Sequence, residues 1–201
     1  MTKSIFYSVF GKNWSKLPPV MRKHYANRPY CKDVVCTTGK MDITFGWYIK
    51  ILKPFLKIIG ALVLCEGKNI PVTVDFLSES NSNAFCLDRQ FYFPNRKTYS
   101  FYSKFLPIKD NLVVETMKFG IGWQCQFHHD KNTITLKHHK YVWKLFGKLI
   151  PLPIDLLFGK IYAEETALSN NDFSMKMIIT HPLLGNIYEY KGKFTITKMT
   201  L

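Results

Sequence analysis

From about Ile70 onward, apolar residues recur at every second position in short runs separated by turn residues, a period that only extended strands satisfy. Val72-Thr73-Val74-Asp75-Phe76 alternates, and Ser78-Glu79-Ser80-Asn81-Ser82-Asn83 turns it into Ala84–Phe93. Pro94-Asn95-Arg96, Lys109-Asp110-Asn111 and Asp130-Lys131-Asn132 separate the next strands, Tyr99–Phe105, Leu112–Phe119, Trp123–His129 and Thr133–Trp143. A proline-broken stretch, Leu149–Ile154, precedes strands over Lys160–Leu168 and Asp172–Thr180, and His181–Gly185 turns into Asn186–Thr197. No helical pattern of about 10–15 residues intervenes, which excludes βαβ units and leaves antiparallel pairing. The fold class expected is mainly β (α+β): a strongly curved antiparallel sheet, or a β-barrel-like closure, of about nine strands with N-terminal helices.

The first 68 residues read differently. Residues 1–30 pattern as helix then loop, with Pro18-Pro19 placed to start a short helix. Ile43–Leu64 is the most apolar run, and Lys50, Lys53 and Lys57 share one face if it is helical. Three lysines at about 2.5–3.5 kcal/mol each at a bilayer centre disfavour a spanning helix. Trp47, Ile51, Phe55, Ile58, Ile59 and Leu62 cover the rest of its surface, and two readings of this segment stand: a core helix with a solvated lysine stripe, or a basic amphipathic helix lying on an anionic surface. Pro54 implies a kink or restart. With no linker or repeat, the chain reads as one domain over 1–201, in which residues 1–68 are helical or loop and pack on or cap the sheet of 69–201.

Within the alternation three ionisable residues take apolar-side positions. Arg89 shares a face with Phe85, Leu87, Phe91 and Phe93; Glu115 lies between Val113 and Met117; Glu165 lies between Ala163 and Ala167. An inward charge is costly unless paired. The three therefore form either an internal ion pair, Arg89 with one or both glutamates, or a polar site in an apolar cavity. Tyr188 and Tyr190 fall on the parity of Phe194 and Ile196 and add hydroxyls to the same wall.

Other chemistries find little support. His128-His129 and His138-His139 flank a hairpin turn that pairs His128 with Ile134 and His138 with Gln124, about 13 Å apart along the strand, too far to share a metal. Cys31 and Cys36 have no second ligand pair, and five scattered cysteines without a leader-like start are expected to be reduced thiols in a cytoplasm. No phosphate loop, dinucleotide fingerprint or nucleophile elbow occurs, so no cofactor and no catalytic residue are assigned. The formal charge of +14 attracts anionic partners, yet the lysines are spread along the whole chain rather than grouped among aromatics, which argues against specific nucleic-acid binding.

The opening Phe10-Gly11-Lys12-Asn13-Trp14-Ser15-Lys16-Leu17-Pro18-Pro19-Val20-Met21-Arg22 resembles the start of a known family. So do Ile70–Val74, the Arg89 strand and Leu112-Val113-Val114-Glu115. Pro151-Leu152-Pro153, Ala163-Glu164-Glu165, Phe173-Ser174-Met175, Pro182-Leu183-Leu184-Gly185 and Tyr190-Lys191-Gly192 complete the series in order. Together they resemble the bacterial "domain of unknown function 4166" family over nearly the whole chain. That resemblance implies a bacterial protein and a domain sometimes appended to reductase-like proteins of nucleotide-cofactor type, and brings no assigned activity. The abundance of lysine departs from the family's pattern.

The leading expectation is a non-enzymatic barrel-like domain binding an apolar, acidic small molecule or lipid, with Arg89 on the acidic group and Glu115, Glu165, Tyr188 and Tyr190 around it. An acid or base role for Glu115 or Glu165, which needs an open cleft, is the enzymatic alternative. A third reading docks the protein peripherally on an anionic (inner) membrane or a partner through Lys50, Lys53 and Lys57, with Trp143, Lys144, Phe146 and Lys148 as a second basic and apolar contact. The oligomeric state is not encoded in any of these features.

Overall fold

The computed structural model describes residues 3–201. Eleven strands run β1 (Val34–Phe45), β2 (Gly67–Ser78), β3 (Phe85–Phe91), β4 (Tyr99–Lys109), β5 (Leu112–Thr116), β6 (Ile121–Asp130), β7 (Thr133–Leu145), β8 (Lys148–Leu152), β9 (Lys160–Ala167), β10 (Asp172–His181) and β11 (Gly185–Thr200). All pairings are antiparallel, in the order β6-β5-β4-β3-β2-β1-β11-β10-β9-β7-β8, and β6 also pairs with β7. Ten strands thus close into a barrel, and β8 lies outside it, paired to the far half of β7. Closure gives every barrel strand two neighbours, which removes free edges.

Two strands do not show in the alternation. β1 lies in the segment expected to be helix or loop; its inward positions include Thr37 and Gly39, which blank the hydrophobic period. Gly39 is there because β11 comes close: a Cβ would sit 2.2 Å from the Lys193 carbonyl oxygen and 2.7 Å from the Phe194 ring. β8 is masked by Pro151, which an outside strand tolerates. The β6–β7 register also differs from expectation: His128 faces Thr135 and His138 faces Cys125, because a two-residue turn and an irregularity at Gln124/Cys125 shift the ladder.

Short helices close both ends. α1 (Tyr7–Phe10) and α2 (Pro19–His24), with Pro19 in the first turn, insert Phe6, Val20 and Met21 into the barrel with no exposure. Phe6 meets Phe85 edge-on at 5.1 Å and Phe127 at 5.3 Å. At the other end α3 (Trp47–Ile59) runs unbroken through the exposed Pro54 and stops at Gly60, whose φ of 62° is the left-handed cap that glycine supplies. Residues 61–64 then cross the mouth, held by hydrogen bonds donated by Tyr99 Oη to Leu62 O (2.9 Å) and by Tyr188 Oη to Val63 O (3.0 Å). α4 (Asp155–Phe158) lies beside α3.

Candidate functional site

Arg89, Glu115 and Glu165 all point inward and are 6–8% exposed. The structure divides them into two groups. Arg89 donates from Nη2 to Glu115 Oε1 (3.3 Å) and from Nη1 to Ser103 Oγ (2.9 Å), with its guanidinium 4.8 Å from the Phe101 ring centre. Trp123, opposite Glu115 in the β5–β6 register, donates Nε1–H to Glu115 Oε2 at 2.7 Å. Glu165 instead accepts from Tyr25 Oη (2.6 Å) and lies 3.5 Å from His24 Nε2. The second glutamate therefore anchors α2 inside the barrel.

Tyr190 borders the same cavity as Arg89, whereas the Tyr188 hydroxyl is committed to Val63 and stands apart from the arginine's partners. That cavity, also walled by Met41, Met175 and His24, has a volume of about 20 Å³, and a second of about 20 Å³ lies on the Phe6–Tyr25 side. Each has room for about one water. His24 borders both, and its Nδ1 is buried without a partner among the described residues. Both glutamates are sealed from solvent, so the open cleft beside Arg89 that acid–base chemistry requires is not found among the described residues.

Strand parity is enough to pair Ser103 and Trp123 with Arg89 and Glu115. It cannot reach His24 and Tyr25, because no local pattern says that a helix end will enter a barrel.

Two histidines with covered side chains, His24 and His138, carry a consequence for pH. Burial, opposed by Glu165 and reinforced by Arg89, holds the His24 imidazole below its ordinary range. Burial likewise lowers His138, opposed by Asp155 at 3.3 Å and reinforced by Lys160 and His139. The unfolded chain then binds protons before the folded one as the medium is acidified below about pH 6.5, and stability falls. We expect a loss of up to about 1.4 kcal/mol per pH unit for each histidine, read from urea midpoints across that range. His24→Gln should flatten the slope; an unchanged slope would remove His24 from the account.

A second arrangement lies at the α3 end. The helix presents three sectors: Ile49, Leu56 and Ile59 are buried, Lys50, Lys53 and Lys57 form an adjoining stripe, and Trp47, Ile51, Phe55 and Ile58 fall within about an 80° sector that faces solvent. Those four are 63%, 66%, 49% and 65% exposed. A core helix with only a lysine stripe in water is therefore not what forms: the helix lies across the barrel end, buries the one apolar sector turned toward it and leaves the second exposed.

Neighbouring elements extend the patch. Phe55 stacks on Phe158, and Tyr48 Oη donates to Leu157 O, placing the exposed Leu156 and Leu157 beside the helix. Lys118 packs against Gly60, and Trp143 donates Nε1–H to Phe119 O at 2.9 Å. Phe119 is 70% exposed and Phe146, at the tip of the β7–β8 hairpin, 95%. Both sit at positive φ, 59° and 48°, a conformation costly for a bulky residue, and both spend it holding an aromatic ring in water. Lys118, Lys144 and Lys148 surround them; of Lys50, Lys53 and Lys57 only Lys50 has an acidic partner among the described residues, Glu66 at 3.1 Å. No helix among the described residues is long and apolar enough to cross a membrane.

Comparison with known proteins adds a family and two distant likenesses of shape. The family described as "Domain of unknown function (DUF4166)" matches residues 17–194. No curated protein matches. Among solved structures, Rv2717c from M. tuberculosis is similar at 8% identity, covering 90% of this chain and 99% of that one, with a TM-score of 0.42. The dehydratase domain of the polyketide PpsC from Mycobacterium tuberculosis is similar at 6% identity, covering 89% and 80%, with a TM-score of 0.19. Likenesses this distant assign neither activity nor ligand.

Proposed function

The chain belongs to the DUF4166 family, a membership that leaves the chemistry open, and we propose that it is a non-enzymatic barrel that docks on anionic membrane surfaces through its α3 end. The observation that carries this is the exposed Trp47, Ile51, Phe55 and Ile58 sector bordered by Lys50, Lys53 and Lys57. Inserting those four side chains into the headgroup–acyl boundary contributes about 1 kcal/mol each, given how far they are already buried. Each lysine near an anionic surface adds about 1 kcal/mol. Phe119, Phe146 and Trp143 extend the same contact, with Lys144 and Lys148 beside them.

The filled interior weighs against the alternative of an apolar, acidic ligand held by Arg89: about 20 Å³ cannot admit a hydrocarbon tail unless Met41 and Met175 withdraw.

Vesicle flotation tests the proposal. Wild type should float with phosphatidylserine-containing vesicles and stay down with neutral ones. Ile51→Ser/Ile58→Ser, which alters exposed side chains only, should weaken binding by about 30-fold at unchanged thermal stability. Equal binding by the variant and wild type would overturn it.

A further inference from the structure

At the C-terminal end of α3 an open pocket of about 470 Å³ lies between the helix and strands β4 and β5, its wall including Lys57, Lys104, Lys118, Ser100 and Thr116. Lys104 is engaged by Glu79 at 2.5 Å. Lys57 and Lys118 have no ion-pair partner among the described residues, so two cationic side chains without a counter-charge line one recess, whose Ser100 and Thr116 hydroxyls lie 3.5 Å from Asp88 Oδ1 and from the Lys104 carbonyl oxygen. The residues that follow them in sequence, Ile58 and Phe119, are 65% and 70% exposed and belong to the apolar patch. Cations inside the recess and greasy side chains on its two rims match a molecule with an anionic head and an apolar tail, oriented with its head toward the protein.

We propose that this pocket binds the phosphomonoester headgroup of a membrane lipid, a specific site within the docking surface and resting on that reading. A phosphomonoester carries close to two negative charges near neutral pH, matching Lys57 and Lys118, and its oxygens accept from ammonium donors. The headgroups of phosphatidylcholine and phosphatidylserine each bring a cationic nitrogen of their own into the recess, which both lysines disfavour. The positive φ at Phe119 and the left-handed Gly60 shape the two rims, since each turns the chain at the edge of the pocket.

The test compares vesicles of phosphatidylcholine carrying phosphatidic acid with others carrying phosphatidylserine, matched in surface potential. Wild type should prefer phosphatidic acid by about ten-fold, beyond what surface charge gives. Lys57→Gln/Lys118→Gln should bring that ratio to about one, while Lys144→Gln/Lys148→Gln should weaken both vesicles and keep the ratio. Glycerol 3-phosphate should compete only with the phosphatidic acid preference. Equal affinity for the two vesicles, or a preference that survives in Lys57→Gln/Lys118→Gln, overturns the headgroup site and leaves membrane docking standing; binding to neither vesicle overturns both.

Discussion

Replacing Arg89 by Met should lower the unfolding free energy by about 3–5 kcal/mol, the cost of leaving a buried carboxyl without its cation. Glu115 would keep Trp123 as its one donor, Ser103 would lose its own, and neither can turn to water because both are buried. For a domain whose total stability is about 5–15 kcal/mol that is a large fraction. The double variant Arg89→Met/Glu115→Gln should regain at least half of the loss, because a neutral amide still accepts from Trp123 and no charge is stranded. Urea denaturation of the two single variants and the double gives the coupling directly. A single variant costing less than about 1 kcal/mol would mean that the pair is not desolvated, contrary to its position in the barrel.

Lys50→Glu/Lys53→Glu/Lys57→Glu should all but abolish flotation with anionic vesicles. Each lysine contributes about 1 kcal/mol of attraction near such a surface, and each glutamate replaces it with repulsion, so a loss of more than about 100-fold is expected. The three side chains are exposed, and the melting temperature should move little. High salt should imitate the triple variant in the wild-type protein, since surface attraction of this kind is screened within a Debye length of about 8 Å. Retained binding in the triple variant would assign the α3 end to something other than a charged bilayer.

Much of the barrel can be read from residue order because its strands obey a single rule. Alternation places Arg89, Glu115 and Glu165 inside, and turn residues locate most hairpins to within a residue or two. The failures have physical causes. β1 escapes notice because Thr37 and Gly39 occupy inward positions, and at Gly39 the close approach of β11 excludes any side chain. The pairing of Glu165 with Tyr25 and His24 joins residues 140 apart and depends on how a capping helix enters the barrel, which no local pattern encodes. On α3, the two apolar sectors are chemically alike, so periodicity shows a hydrophobic helix without showing which sector the barrel takes. Tertiary packing decides that, and it is Ile49, Leu56 and Ile59 that are buried.

The β1–β11 seam bears on how the chain is made. Val34 lies opposite Thr200 and Phe45 opposite Tyr188, so β1 gains one of its two neighbours only once the much later β11 has left the ribosome. Until then β1 has an unsatisfied flank. Long-range pairing of this sort belongs to slow folders, on the order of milliseconds to seconds. A nascent chain stalled before β11 would therefore leave Val35, Met41 and Ile43 bare, a natural substrate for holding chaperones during translation.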